Sequence, residues 1–178
     1  MRRLIAVWLL CLCTAPALAE VPQSVIIVVD TNRIMREARA AVEIARQVEA
    51  LGARYGNDFN AAEARLRQED ESLKDQRGLL SKEAYKARVK ELREQLMKLR
   101  SNAQRQRTLL DRARAEALRK VQLQLQDVAR ELAAKLGANI VVQKAALVWA
   151  DENALEFTED VLNRLNEVLP SVTIEVSE

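Results

Sequence analysis

The chain has 178 residues, 49% of them hydrophobic and 30% charged but only 3% aromatic, with two cysteines, no histidine and a formal net charge of +2. Without histidine the usual general base and the commonest transition-metal ligand are missing. Most hydrolytic, redox and metal-dependent chemistry therefore starts far behind, and the sequence offers no catalytic, cofactor-binding or metal site.

Residues 1–19 read as a cleaved export signal: Arg2 and Arg3, an apolar run from Leu4 to Leu12, and the small-x-small ending Ala17-Leu18-Ala19. The run is shorter than the ~20 residues a spanning helix needs. Leu10 and Leu12 precede Cys11 and Cys13, so neither cysteine sits at a lipoprotein cleavage site. The mature chain is expected to begin at Glu20 and to contain no cysteine, which removes both a disulfide scaffold and a thiolate site. It is neutral overall but uneven: residues 46–120 carry 19 basic and 12 acidic side chains, and residues 121–178 carry 4 and 10.

In chain order, the β-branched run Ser24 to Val29 between Pro22 and Asp30 predicts a strand at about 25–29. A helix follows, capped by Asp30, Thr31 or Asn32, and no proline interrupts the chain before Pro170. Gly78 followed by Ser81 marks a helix end and a new helix start, so the long helical region folds back near residue 79, with its turn at 77–81.

Apolar residues spaced alternately four and three set the register of an antiparallel coiled coil. The first arm runs through Ala41, Ala45, Val48, Gly52, Tyr55, Phe59, Ala62, Leu66, Glu69 and Leu73, and the second from Tyr85 through Leu92, Leu99 and Leu110 to Ala117. Expected partners have residue numbers that sum to a constant, as in Leu66 with Leu92 and Val48 with Leu110, while flanking positions set Glu49 beside Arg107, Glu63 beside Arg93 and Asp70 beside Lys86. Gly52, Gly56 and the Gly52–Gln106 layer interrupt this seam, and each interior glycine costs about 0.5–1 kcal/mol against alanine. A hinge is expected at Gly52 and Gly56.

Gly137 ends the second helix. Two strands are then expected at about 140–143 and 146–150, and a helix at about 159–169 closed by Pro170. Residues 171–178 alternate like a strand but lie at a terminus, which leaves an edge strand and disorder both open. The predicted architecture is α+β and mostly α: a small β-rich body from residues 20–40 and 121–170, and a helical hairpin arm from 41–120. Three short strands and one helix make a core too small for independence, so partner chains are expected to complete the body through Val25, Ile27, Val29, Ile140, Val142, Val148 and Trp149. A single coiled-coil rod with frayed ends is the simpler alternative, and periodicity does not decide the number of chains.

Candidate contacts for a partner are Leu79 and Leu80 at the turn and Met97 on the outer arm. The two leucines serve equally well as a plug of the hairpin end. Lys98, Arg105, Arg112 and Arg119 recur every seven residues as a solvent-facing stripe, with Arg100 and Arg114 alongside. Such a stripe is a solvated face by default, and otherwise an attractor for acidic segments or anionic lipid. Export and the lack of interleaved aromatics argue against nucleic acid as its partner.

The export signal, the strand entering a helix at Val28-Val29-Asp30, the charged hairpin, Asn139-Ile140-Val141-Val142 leaving it and Leu155 to Leu165 at the end resemble the Skp/OmpH family of periplasmic chaperones. Phe157-Thr158-Glu159-Asp160-Val161-Leu162 is the sharpest local match. The resemblance implies a jellyfish-like homotrimer in the periplasm, a β-rich body with three helical arms. It implies an ATP-independent holdase that encloses unfolded outer-membrane β-barrel proteins, with lipopolysaccharide or an anionic lipid surface as a further partner. Well-known members are strongly basic whereas this mature chain is neutral, so capture by charge is expected to be weaker or confined to the arms. A structural coiled-coil adaptor of the envelope is the competing reading.

Overall fold

The computed structural model describes residues 24–149, 151 and 156–176. The expected export signal lies outside the described residues. β1 (Ile26–Val29) is four consecutive β-branched residues, the last three buried. It pairs in parallel with β2 (Ile140–Gln143), Ile26 opposite Ile140 and Val29 opposite Gln143. Parallel strands need a crossover connection, and here the whole arm is the crossover.

The chain leaves β1 through α1 (Thr31–Glu37), where the Asp30 carboxylate accepts from the Arg33 N–H at 2.9 Å. The helical path then breaks at Ala38, whose ψ of 132° is extended, before α2 (Arg39–Asp75) begins. No glycine or proline marks this break. Its cause is tertiary: Ala38 is fully buried, and the first free amide of α2, at Arg39, donates to Asn166 Oδ1 at 2.8 Å from a segment 127 residues away. A side chain elsewhere in the fold thus does the work of a local N-cap.

The hairpin turns through a short 3₁₀ segment, Gln76–Gly78. Both Leu79 and Leu80 donate their N–H to the Gln76 carbonyl, at 2.9 and 3.1 Å. Ser81 then opens α3 (Lys82–Lys135), its hydroxyl accepting from the Ala84 N–H at 3.1 Å. α3 ends in a Schellman closure: Gly137 takes a φ of +67° and the Ala138 N–H reaches back to the Ala133 carbonyl at 2.9 Å.

The expected strand at 146–150 is not formed. Lys144–Ala146 make a 3₁₀ turn, Leu147 to Trp149 pair with no strand among the described residues, and Ala150 lies outside them. The other edge of β1 is taken instead by Glu156, bridged to Val28, with the Phe157 N–H donating to the Val28 carbonyl at 3.0 Å. α4 (Thr158–Val168) starts at once behind it. Thr158, the first residue of this helix, has its hydroxyl committed outside the helix: it accepts from the Asp30 N–H at 2.9 Å and lies 3.2 Å from Glu156 Oε1 as donor.

The core gathers Val29, Ile34 and Ile44 with Val121, Leu125 and Val128 of α3 and Val161 and Leu165 of α4. The C-terminal tail belongs to it, for Val172 and Ile174 are buried against the same cluster. Terminal disorder is thereby overturned through residue 176, although the tail is extended chain rather than a paired strand.

Thr158 is the one buried polar side chain of the described core. Thr158→Val should cost about 1–3 kcal/mol by leaving the Asp30 amide unpaired, and Thr158→Ser clearly less, because it keeps the hydroxyl. Urea unfolding of the two variants measures the difference. Equal losses would mean that the methyl packing, and not the hydrogen bond, is what matters.

Candidate functional site

α2 and α3 lie side by side along the arm. Outside its root the seam is only half-buried at Tyr55, Phe59, Ala62, Leu66 and Leu73 of α2 and at Tyr85, Val89, Leu92, Leu96, Leu99 and Ala103 of α3. The expected register is recognisable, since Leu66 shares a groove with Leu92 and Leu96 while Leu73 shares another with Leu80 and Leu92. Near the root it differs. Ala45 and Gly52 are exposed, and their larger neighbours Ile44 and Leu51 turn inward instead. The inward series 44, 48, 51, 55, 59, 62 contains two successive steps of four, a stutter that relaxes the supercoil locally. Gln106 is exposed as well, so the Gly52–Gln106 layer does not exist.

The flanking charges also choose other partners. Glu63 pairs with Arg67 of its own helix at 3.0 Å, and Asp70 with Lys74 one turn on. Among the described residues, no ion pair joins Glu49 to Arg107, Glu63 to Arg93 or Asp70 to Lys86. Neighbours four apart on one helix reach each other with less loss of side-chain freedom than partners across a splayed seam.

The two turn leucines divide. Leu80 is half-buried in its groove, whereas Leu79 is 85% exposed. Met97 is 62% exposed on the outer face of α3. Lys98, Arg100, Arg105, Arg112, Arg114 and Arg119 are all exposed along one continuous helix, which sets the four heptad-spaced cations about 10 Å apart. Only Arg112 of the six makes an ion pair among the described residues, with Glu116 at 3.6 Å.

α2 runs unbroken through Gly52 and Gly56. A Cβ added at Gly56 would meet nothing within 4 Å, and one at Gly52 would meet only Leu110 Cδ2 at 4.0 Å. Packing therefore does not require either glycine. Alanine at both should stabilise the arm by about 0.5–1 kcal/mol per site, read as stronger amide protection in the outer half of α2 by hydrogen exchange. Unchanged protection would remove the idea of a glycine-weakened zone.

In the body, Ile27 and Val29 are buried within their own chain, and Val25 and Val142 are half-buried. They are poor contacts for a partner, contrary to the sequence expectation for Ile27 and Val29. Exposed apolar surface lies instead at Ile26, Ile140 and Val141 and at Val148 and Trp149, the last two 104% and 80% exposed. Ile26 and Val141 were not among the sequence candidates; a continuous apolar strand gives no period by which to tell its two faces.

The segment before α4 is held by charge. Lys144 Nζ lies 2.8 Å from Glu156 Oε2. This bond, joined by the Thr158 hydroxyl, lowers the carboxyl pKa below its usual 4.5. A carboxylate lowered by folding stabilises the fold above the ordinary carboxylate range, and that part is lost as pH falls through the lowered value. Glu156→Gln should therefore show a smaller drop in melting temperature between pH 6 and pH 3 than the parent chain. An equal drop would place the acid sensitivity elsewhere.

Among the described residues no cluster of acidic side chains could hold a metal ion, and no helix is long and apolar enough to cross a membrane. The family model for outer membrane proteins of the OmpH-like kind matches residues 25–165. The chain belongs to the OmpH-like family. Its fold is similar to the crystal structure of a candidate OmpH-like outer membrane chaperone from Caulobacter crescentus, with a TM-score of 0.81 at 11% sequence identity, covering 88% of this chain and 92% of that one. A search of curated proteins returns no match. The match begins at the residue before β1 and ends inside α4, so the OmpH-like unit comprises both strands, the arm between them and the helix that closes the core.

Proposed function

We propose that this OmpH-like protein is a periplasmic, ATP-independent holdase chaperone that keeps unfolded outer-membrane β-barrel proteins soluble between helical arms. One observation carries the reading: the arm exposes shallow, half-buried apolar grooves, the apolar side chains of Leu79 at its turn and Met97 along α3, and a row of cations. Such a surface binds many chains weakly. It lacks the enclosed, convergent polar site that a single substrate would need. Membership of the OmpH-like family and the chaperone fold of the Caulobacter crescentus protein point the same way.

Three copies are proposed to join through the exposed body residues Ile26, Ile140, Val141, Val148 and Trp149. Exposed large apolar side chains gathered on so small a body point to a covering partner, and three arms around one axis create the enclosure that a lone arm cannot. Leu79 and Met97 are assigned to apolar stretches of the client. Lys98, Arg100, Arg105, Arg112, Arg114 and Arg119 are assigned to its acidic stretches, and to lipopolysaccharide or anionic lipid headgroups at the membrane surface. Gly52 and Gly56 are proposed to let the outer arm flex around clients of different girth.

The test dilutes a urea-unfolded outer-membrane β-barrel protein into buffer containing the purified chaperone and follows light scattering. Suppression at one trimer per client is expected, and its absence overturns the holdase reading. Reversing Lys98, Arg105, Arg112 and Arg119 to glutamate should weaken capture and flatten its dependence on salt. If neither changes, the stripe is only a solvated face.

A further inference from the structure

The C-terminal tail is held in an unusual way. The Gln47 carboxamide accepts from the Ile174 N–H at 2.9 Å and donates to the Val172 carbonyl at 3.1 Å. These are the two bonds that one residue of a neighbouring parallel strand would make. Gln47 is itself oriented by donating to Glu43 Oε1 at 3.1 Å, and Glu43 is fixed by Arg46 at 2.8 Å. Val172 and Ile174 point into the core while Thr173 and Glu175 border a small cleft with Ala113, Ala117 and Lys120 of α3. The small side chains of Ala113 and Ala117, four residues apart on one helix face, leave the shelf on which the tail lies.

The tail forms no backbone-to-backbone hydrogen bond among the described residues. It is tied down by one carboxamide and by alternate aliphatic side chains, few enough contacts for local release without global unfolding. Nothing in the Gln47 clamp reads a particular sequence, since it recognises any extended backbone. Strands of membrane β-barrels carry apolar residues at every second position, the pattern of Val172, Ile174 and Val176.

We propose that this shelf at the root of the arm is a binding site for an extended polypeptide segment with apolar side chains at alternate positions, and that the chain's own tail is its resident, displaceable occupant. The tail then competes with incoming unfolded protein. That the incoming segment belongs to an outer-membrane β-barrel protein rests on the holdase reading; the site itself does not.

The experiment uses the chain ended after Pro170 and a fluorescein-labelled peptide of residues 171–176, with binding followed by polarisation. Saturable binding is expected. It should weaken about tenfold in Gln47→Ala, which loses both clamp bonds, and vanish when serine replaces Val172 and Ile174 in the peptide. A folded truncated chain that does not bind the peptide, or binds the serine peptide equally well, overturns the proposal. Should the truncated chain fail to fold, the full chain carrying Val172→Ser and Ile174→Ser takes its place. If that variant also unfolds, the tail is an obligatory part of the core and the proposal fails. In the holdase assay, tail removal should strengthen capture of the β-barrel protein. Peptide binding without any holdase activity would keep the site and discard the client.

Discussion

Parallel pairing of β1 with β2 is the constraint on which the rest of the molecule depends. In an antiparallel pair the returning chain could have entered at the end it left. In a parallel pair it must come back to the starting end, so that Ile140 lies beside Ile26 and the Asn139 N–H meets the Val25 carbonyl at 3.1 Å. The outgoing helix α2 has 37 residues and the returning helix α3 has 54, a difference of 17. That excess is about 25 Å of helix, the distance α3 must travel past the root of α2 to reach the far end of the sheet. The overshoot is also what forms the body, because Val121, Leu125 and Val128, which pack α1, α4 and the tail into one core, lie on it.

With the backbone path set, three polar side chains fasten elements that have no common ladder. Thr158 joins the start of α4 to the end of β1, Asn166 caps α2 from α4, and Gln47 holds the tail to α2. Each spends its polarity on backbone groups that the junction between elements would otherwise leave unpaired. Aliphatic burial supplies most of the cohesion, but it is not directional. These bonds decide the angle at which the pieces meet.

The arm follows a different logic. Its seam is narrow and only half-buried, and its charges pair along each helix instead of across the hairpin. Little cross-linking between α2 and α3 leaves apolar grooves open on both flanks and many cations unengaged. The same looseness is unfavourable for stability and suits a surface that must accept many partners. A body with a buried core and an open arm thus come from one chain because the burial is concentrated at one end.

Much of this was legible in the residues themselves. Four-three periodicity with Gly78 and Ser81 gave the hairpin and its turn, β-branched runs gave β1 and β2, and Gly137 gave the end of α3, because each depends on interactions within a few residues. What lay beyond reach depended on distant partners. The break at Ala38 carries no local mark, since its stabilising cap is Asn166. A strand was expected at 146–150 from composition, yet the open edge of β1 went to Glu156, whose ion pair with Lys144 and neighbour Thr158 secure it there. The inward turn of Ile44 and Leu51 did have a signal, the larger side chain beside Ala45 and Gly52, which strict heptad counting passed over. Sequence by itself determined which segments are helical, where the hairpin turns and where α3 ends, and which residues are apolar. Only the tertiary structure decided which apolar face is buried and which polar side chain closes each junction, because burial and long-range hydrogen bonds are set by what arrives from elsewhere in the chain.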